Sequence, residues 1–247
     1  MKHVYAFESK SEYDQYDKII QKFRKKLNEY EQILKRDFLL DDSPNAVVWT
    51  STQLATETFS TIPIPAFTNE NVIYMSPDIE EWRKLFIRQL DNKNLHKIRL
   101  FYESYSEEHL IVILAHELTH HLDLFVDDFD DERANSIWFE EGMCFYLPRK
   151  LLLNEADFQQ ILQVEKELIQ EFSSEYGHHS LDDFGIESYT ESLSSIMFDY
   201  WRSFIQIHEL VEKRYNHNIL ELFNDYHHWH NQGRKIPLTQ FFSIYNY

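Results

Sequence analysis

Glycine, proline and cysteine are all scarce in this chain of 247 residues: 4 Gly, 6 Pro and a single Cys. So few turn-formers exclude a turn-dense all-β fold and favour long helices. One cysteine, Cys144, excludes an internal disulfide and gives the expectation of a reducing, cytoplasmic setting. Basic residues are also short: 24 Lys and Arg stand against 42 Asp and Glu, a formal net charge of −18. No Lys/Arg cluster interrupts that acidity, so neither nucleic acid nor an anionic membrane is an expected partner. The longest apolar run, Leu110–Ala115, is far too short to span a bilayer. The amino-terminal stretch MKHVYAFESKSEYDQYDKII lacks the continuous apolar segment of a secretory signal.

What is abundant is apolar and aromatic surface. Apolar residues make up 43% of the chain, with 19 Phe, 15 Tyr and 5 Trp, so a folded globular protein is expected. From Ser9 to Arg36, apolar residues recur at helical spacing through Tyr16, Ile19, Ile20, Phe23, Leu27, Tyr30, Ile33 and Leu34. DDSPN (41–45) breaks that pattern and AVVWTST (46–52) reads as a strand. FSTIPIPAF and VIYMS, joined by TNEN, read as two further strands, with Pro63 and Pro65 putting the first at a sheet edge. A helix is expected to start at Ser76 or Asp78, with Pro77 near its first turn, and 91–104 carries no clear signal. Ser104 and Glu107 have capping-box spacing ahead of another helix. Later helices are expected over 136–147, 154–176 closed by Gly177, from SYTE (188–191) to Tyr215, and over 218–230. Strands come early and helices late, so the class is α+β with a largely helical C-terminal half. A single unit is expected, with an α/β lobe over 1–135 and a helical lobe over 136–247.

The stretch ILAHELTHHLDLF (113–125) carries the chemistry. On a helix, residues four apart share a face, so His116 and His120 can direct both imidazoles at one ion. Zinc accepts neutral imidazole nitrogen readily. Glu117 lies about 100° around the helix from His116, outside the ligand set but within reach of a water held by the ion. The competing reading is a pair of polar residues ending the buried part of a helix. Against it, LIVILA buries that helix, and buried ring nitrogens need partners that a metal would provide. A catalytic zinc needs a third protein ligand. SIWFEEGMCFYL (136–147) offers two acids inside an apolar helix, Glu140 and Glu141. Neighbouring helical residues diverge by about 100°, so only one of them can serve the same ion.

His-Glu-x-x-His followed by Trp-x-x-Glu-Gly resembles the gluzincins, the thermolysin- and aminopeptidase-like zinc peptidases, and especially their short peptidase MA-like members. The resemblance covers 60–210 loosely, and only the zinc motifs are specific. It implies a zincin-like fold with a small mixed sheet packed on the zinc helix, and Zn2+ held by His116, His120 and Glu141. It further implies peptide-bond hydrolysis with Glu117 as general base, an edge strand that takes an extended peptide or protein substrate, and a downstream tyrosine at the oxyanion. STIPIPAF…NVIYMS stands where that edge strand belongs in the order, and Tyr200 is the first choice for the tyrosine, with Tyr189 the second. The glycine after Glu141 fits a close approach of the two ligand-bearing helices. Cys144, where the family places a small residue, reads as packing. Two departures stand out: Phe145 replaces an Asp of the thermolysin branch, and FTNEN (67–71) shares only Glu70 and Asn71 with the aminopeptidase motif. Aminopeptidase specificity is therefore not implied. The alternative function is a catalytically inactive zincin scaffold that binds or regulates. GHHS (177–180) and YHHWH (226–230) read as surface or packing histidines, and the acidic run 124–132 as a solvated loop.

Overall fold

A computed structural model describes residues 1–129, 131, 133, 135–185 and 191–244. The chain divides into two compact units, Met1–Leu122 with Leu151–Leu153, and Asp123–Lys150 with Asn154–Tyr247.

The first unit carries the sheet. Its elements are β1 (Lys2–Ala6), α1 (Lys10–Asp37), β2 (Ala46–Thr50), a short α2 (Thr52–Leu54) running into a π-turn at Ala55–Phe59, β3 (Ala66–Thr68), β4 (Val72–Met75), α3 (Ile79–Arg88), α4 (His96–Glu103) and α5 (Glu107–Thr119). The strand order is β1-β2-β4-β3, with β1, β2 and β4 parallel and β3 antiparallel to β4. Val47, Trp49, Ile73 and Met75 alternate onto one buried face. Against that face packs the stripe Ile20, Phe23, Leu27, Tyr30 and Leu34 of α1, with Phe23 and Trp49 rings 6.4 Å apart. α5 is buried almost all round, from His109 through Thr119, as its unbroken apolar run requires. Tyr30 and Thr119 hydroxyls meet at 2.8 Å, fastening α1 to the end of α5.

The local signals explain where sequence expectation and structure part. β1 was not anticipated: KHVYA exposes three of its five residues, Val4 and Tyr5 among them, and shows no alternation of apolar and polar positions. Pro63 and Pro65 precede β3 rather than lying in it, and β3 is the edge strand they announced. Asp78 caps α3, accepting from the Glu80 and Glu81 N–H groups, which leaves Pro77 outside the helix. The cap of α5 is Ser106, paired with His109, not Ser104 with Glu107. Ser104 already ends α4, and Glu107 instead takes Lys22 at 2.6 Å.

The second unit is helical: α6 (Ile137–Leu152), α7 (Glu155–Tyr176), a 3₁₀ turn at Leu181–Asp183, α8 (Leu193–Glu209) running into a π-turn at Leu210–Arg214, α9 (Ile219–Asn231) and α10 (Leu238–Phe241). Asn154 and Gly177 bracket α7 as expected. Ser192 caps α8, while SYTE lies largely outside the described residues. Phe139 stacks on Tyr226 and Phe242 with ring centroids 4.2 and 5.9 Å away, giving this unit an aromatic core. Arg149 and Glu165 form a buried bidentate ion pair at 3.0 and 2.8 Å between α6 and α7. Among the described residues, no helix is long and apolar enough to cross a membrane.

Candidate metal centre

α5 brings His116 and Glu117 to its last turn, and His120 follows as the C-cap, still in helical conformation (φ −57°, ψ −20°). The four-residue spacing therefore survives the end of the helix. The two Nε2 atoms face each other at 3.1 Å, with ring centroids 4.9 Å apart and the planes at 73°. His116 and Glu117 are buried and His120 is half-buried.

Glu140 and Glu141, on the first turns of α6, are both buried. They differ in what they meet. Glu140 pairs with the Arg133 guanidinium at 3.1 Å. Glu141 instead belongs to a cluster in which one ligand atom each from His116, His120 and Glu141 all lie within 4.8 Å of one another. Two imidazoles and a carboxylate are a donor set for a borderline transition ion rather than for calcium or magnesium. Tetrahedral bonds of ~2.0 Å to such an ion would hold two nitrogens about 3.3 Å apart, close to the spacing of the histidine pair. The residues present fit a metal.

His121, next along the chain, is turned away from this cluster: its Nε2 meets Thr68 Oγ1 on β3 at 2.8 Å. Burial, and then the neighbouring His120, lower the His121 pKa to about 4, so it is a neutral hydrogen-bonding imidazole at pH 7. Thr119, just before His120, spends its hydroxyl on the Ala115 carbonyl and Tyr30.

Gly142 has a different reason from the one expected. A Cβ there would overlap the Ser203 carbonyl oxygen and come within 2.6 Å of Ile207 Cγ1, so the glycine lets α6 lie against α8. Cys144 is wholly buried. Phe145, in place of the thermolysin-branch acid, stacks under the Arg149 guanidinium at 4.5 Å and meets the Tyr200 ring edge-on at 5.4 Å. Tyr200, on α8, is buried between Phe145 and Phe184, whose centroid is 5.2 Å away. Tyr189 lies outside the described residues.

Two histidines of the GHHS and YHHWH stretches are taken up by protein partners. His179 Nε2 meets both carboxylate oxygens of Asp199 at 2.8 and 3.0 Å, and Arg202 adds an ion pair at 3.2 Å. No local pattern announces that pair, because its members are twenty residues apart on different elements. His227 reaches the Leu124 carbonyl at 2.7 Å, a packing role. The acidic run is less solvated than expected, since Asp127 is engaged by Arg234 and by Ser136 Oγ at 2.8 Å.

No protein-family model, no curated protein and no solved structure matches this chain.

Proposed function

We propose that this chain is a zinc-dependent peptidase of gluzincin type, with His116, His120 and Glu141 as the metal ligands. The observation that carries the proposal is the convergence of those three donors within 4.8 Å, with the buried carboxylate of Glu117 one residue from His116. A zinc ion bound there would lower the pKa of a coordinated water toward ~7 and polarise a substrate carbonyl. Glu117 accepts the proton of the attacking water as its oxygen bonds to the carbonyl carbon, then passes it to the amide nitrogen as the C–N bond breaks. Tyr200 is assigned to the oxyanion, donating its phenol hydrogen to the developing charge. The substrate is an extended peptide or protein segment laid against β3, the last strand of the sheet.

The test has two readouts. Purified protein and His120→Ala are first compared for bound zinc by elemental analysis after equilibration with sub-stoichiometric metal. Near-equimolar zinc in the wild type and its loss in the variant are expected; no retained zinc in the wild type sinks the proposal. Wild type and Glu117→Gln are then compared on a peptide mixture by mass spectrometry. Cleavage by the first alone supports catalysis, whereas bound zinc without cleavage by either points to the inactive, ligand-binding scaffold.

A further inference from the structure

The edge strand next to the metal-ligand helix has a side-chain feature that no part of the proposed chemistry uses. On the sheet face opposite the one packed by α1, Phe67 of β3 stands directly across from Tyr74 of β4. Their rings stack at 4.5 Å with 12° between planes, and Phe59 lies on Tyr74 with a centroid separation of 5.1 Å. Phe67 and Tyr74 are half-buried, and Phe59 is 39% exposed. Three aromatic rings thus form a partly open shelf along the border of the sheet.

The register of the hairpin fixes how that shelf relates to a peptide on β3. The Ser76 N–H donates to the Pro65 carbonyl at 2.9 Å and the Asn69 N–H to the Val72 carbonyl at 3.1 Å. In an antiparallel ladder the hydrogen-bonded pairs alternate, so 65/76, 67/74 and 69/72 are the bonded pairs and Phe67 spends its main chain on β4. Ala66 and Thr68 then direct their N–H and C=O groups away from β4, towards the outer edge. Their side chains point to the α5 side, where Thr68 holds His121, the neighbour of His120. An antiparallel segment bonded to Ala66 and Thr68 would set one residue opposite Phe67 in a non-bonded pair, where Cα atoms approach to about 4.5 Å and side chains touch.

We propose that the Phe59–Tyr74–Phe67 stack is a specificity subsite that selects an aromatic or large aliphatic side chain at the substrate position opposite Phe67. This rests on the peptidase reading above for its occupant, an extended peptide on β3. The side chains before and after that position face the α5 side and meet no aromatic rings of this stack. The preference is therefore confined to a single position. A ring placed on the stack gains offset-stacking contact beyond its buried area, which a polar or charged residue does not.

The experiment uses the full-length, zinc-loaded Glu117→Gln chain as a non-cleaving trap for a randomised peptide library, with retained peptides sequenced. Enrichment of Phe, Tyr, Trp, Leu or Met at one position is expected. Phe67→Thr, which keeps a strand-forming residue, should reduce that enrichment about fivefold, the ratio equivalent to ~1 kcal/mol. Phe59→Ser, on the exposed outer ring, should act in the same direction and covers the event that Phe67→Thr fails to fold. Enrichment without positional preference, enrichment unchanged in both variants, or no retained peptide overturns the subsite. Cleavage by the wild type is scored separately: cleavage without aromatic selection removes the subsite and leaves the peptidase, and aromatic retention without wild-type cleavage does the reverse.

Discussion

The Nε2 atoms of His116 and His120 face each other across 3.1 Å at the end of α5. Two nitrogens with lone pairs so placed repel unless a proton or a cation lies between them. A divalent ion would answer that need for both at once, with Glu141 as a third donor.

Stability should therefore depend on metal. At free zinc a thousandfold above its dissociation constant, binding to the native state alone adds about 4 kcal/mol. Thermal unfolding followed by circular dichroism should show a clear fall in Tm on adding a chelator. His120→Ala should have a Tm that chelator does not change. An equal chelator response in both proteins would count against these ligands.

Gly142 makes a prediction independent of chemistry. Gly142→Ala would force a methyl group into the Ser203 carbonyl and Ile207, at a cost of about 1–3 kcal/mol or more. Gly233, with φ +82° and open space around its Cα, should tolerate alanine with only about 1 kcal/mol of backbone strain. Urea unfolding of the two variants should rank them in that order.

The Arg149–Glu165 pair gives a pH test. Burial raises the Glu165 pKa above its ordinary 4.5, against the pull of Arg149. The folded state therefore holds a proton on Glu165 more tightly than the unfolded chain does. This contribution to stability is fully present below pH 4.5 and is lost as pH rises through the folded pKa. Arg149→Met removes the opposing charge, so it should cost about 3–5 kcal/mol near pH 7 and less near pH 5. A penalty independent of pH in denaturant titrations would show that Glu165 stays ionised without its partner.

Thr68→Val tests the link between β3 and the segment after α5. It removes a hydrogen bond to His121 worth about 1 kcal/mol while keeping strand propensity. Amide exchange at Phe67 and Asn69, whose N–H groups bond to β4, should quicken relative to β2, with zinc content unchanged. Unchanged exchange would mean that the ladder to β4 alone holds the edge.

Tyr200→Phe separates the two roles open to that ring. Loss of an oxyanion donor should lower kcat by about 10²-fold or more with little change in KM, while the ring keeps its packing on Phe145 and Phe184. Unaltered kcat would leave Tyr200 as core.

Much of this could be read in the sequence because its periodicities are strong. The stripe of α1, the Asn154 and Gly177 boundaries of α7 and the edge position of β3 each rest on local chemistry. α4 escaped because its N-cap is Leu95, which offers no side-chain acceptor, so nothing announced the start of that helix. The capping box at Ser104 misled because two serines compete two residues apart, and α4 had already used the first. At the site, helical spacing alone paired His116 with His120. Spacing did not choose between the adjacent acids; the resemblance of Glu-Gly to the gluzincin motif pointed to Glu141, and the approach of Arg133 to Glu140 is encoded by no local pattern. His179 and Asp199 illustrate the same boundary: each looks ordinary until tertiary structure joins them.

The all-round burial of α5 also orders events in time. His116 acquires its surroundings only when α1 and the sheet have closed over the helix, because its flanking residues, Leu114, Ala115 and Leu118, have no solvent-facing side. A collapsed chain whose tertiary packing is incomplete would offer scattered imidazoles rather than a chelate. Metal uptake during refolding should then lag behind the appearance of helical signal and coincide with the last step of core consolidation. An ion bound there would become a clock for the completion of the fold.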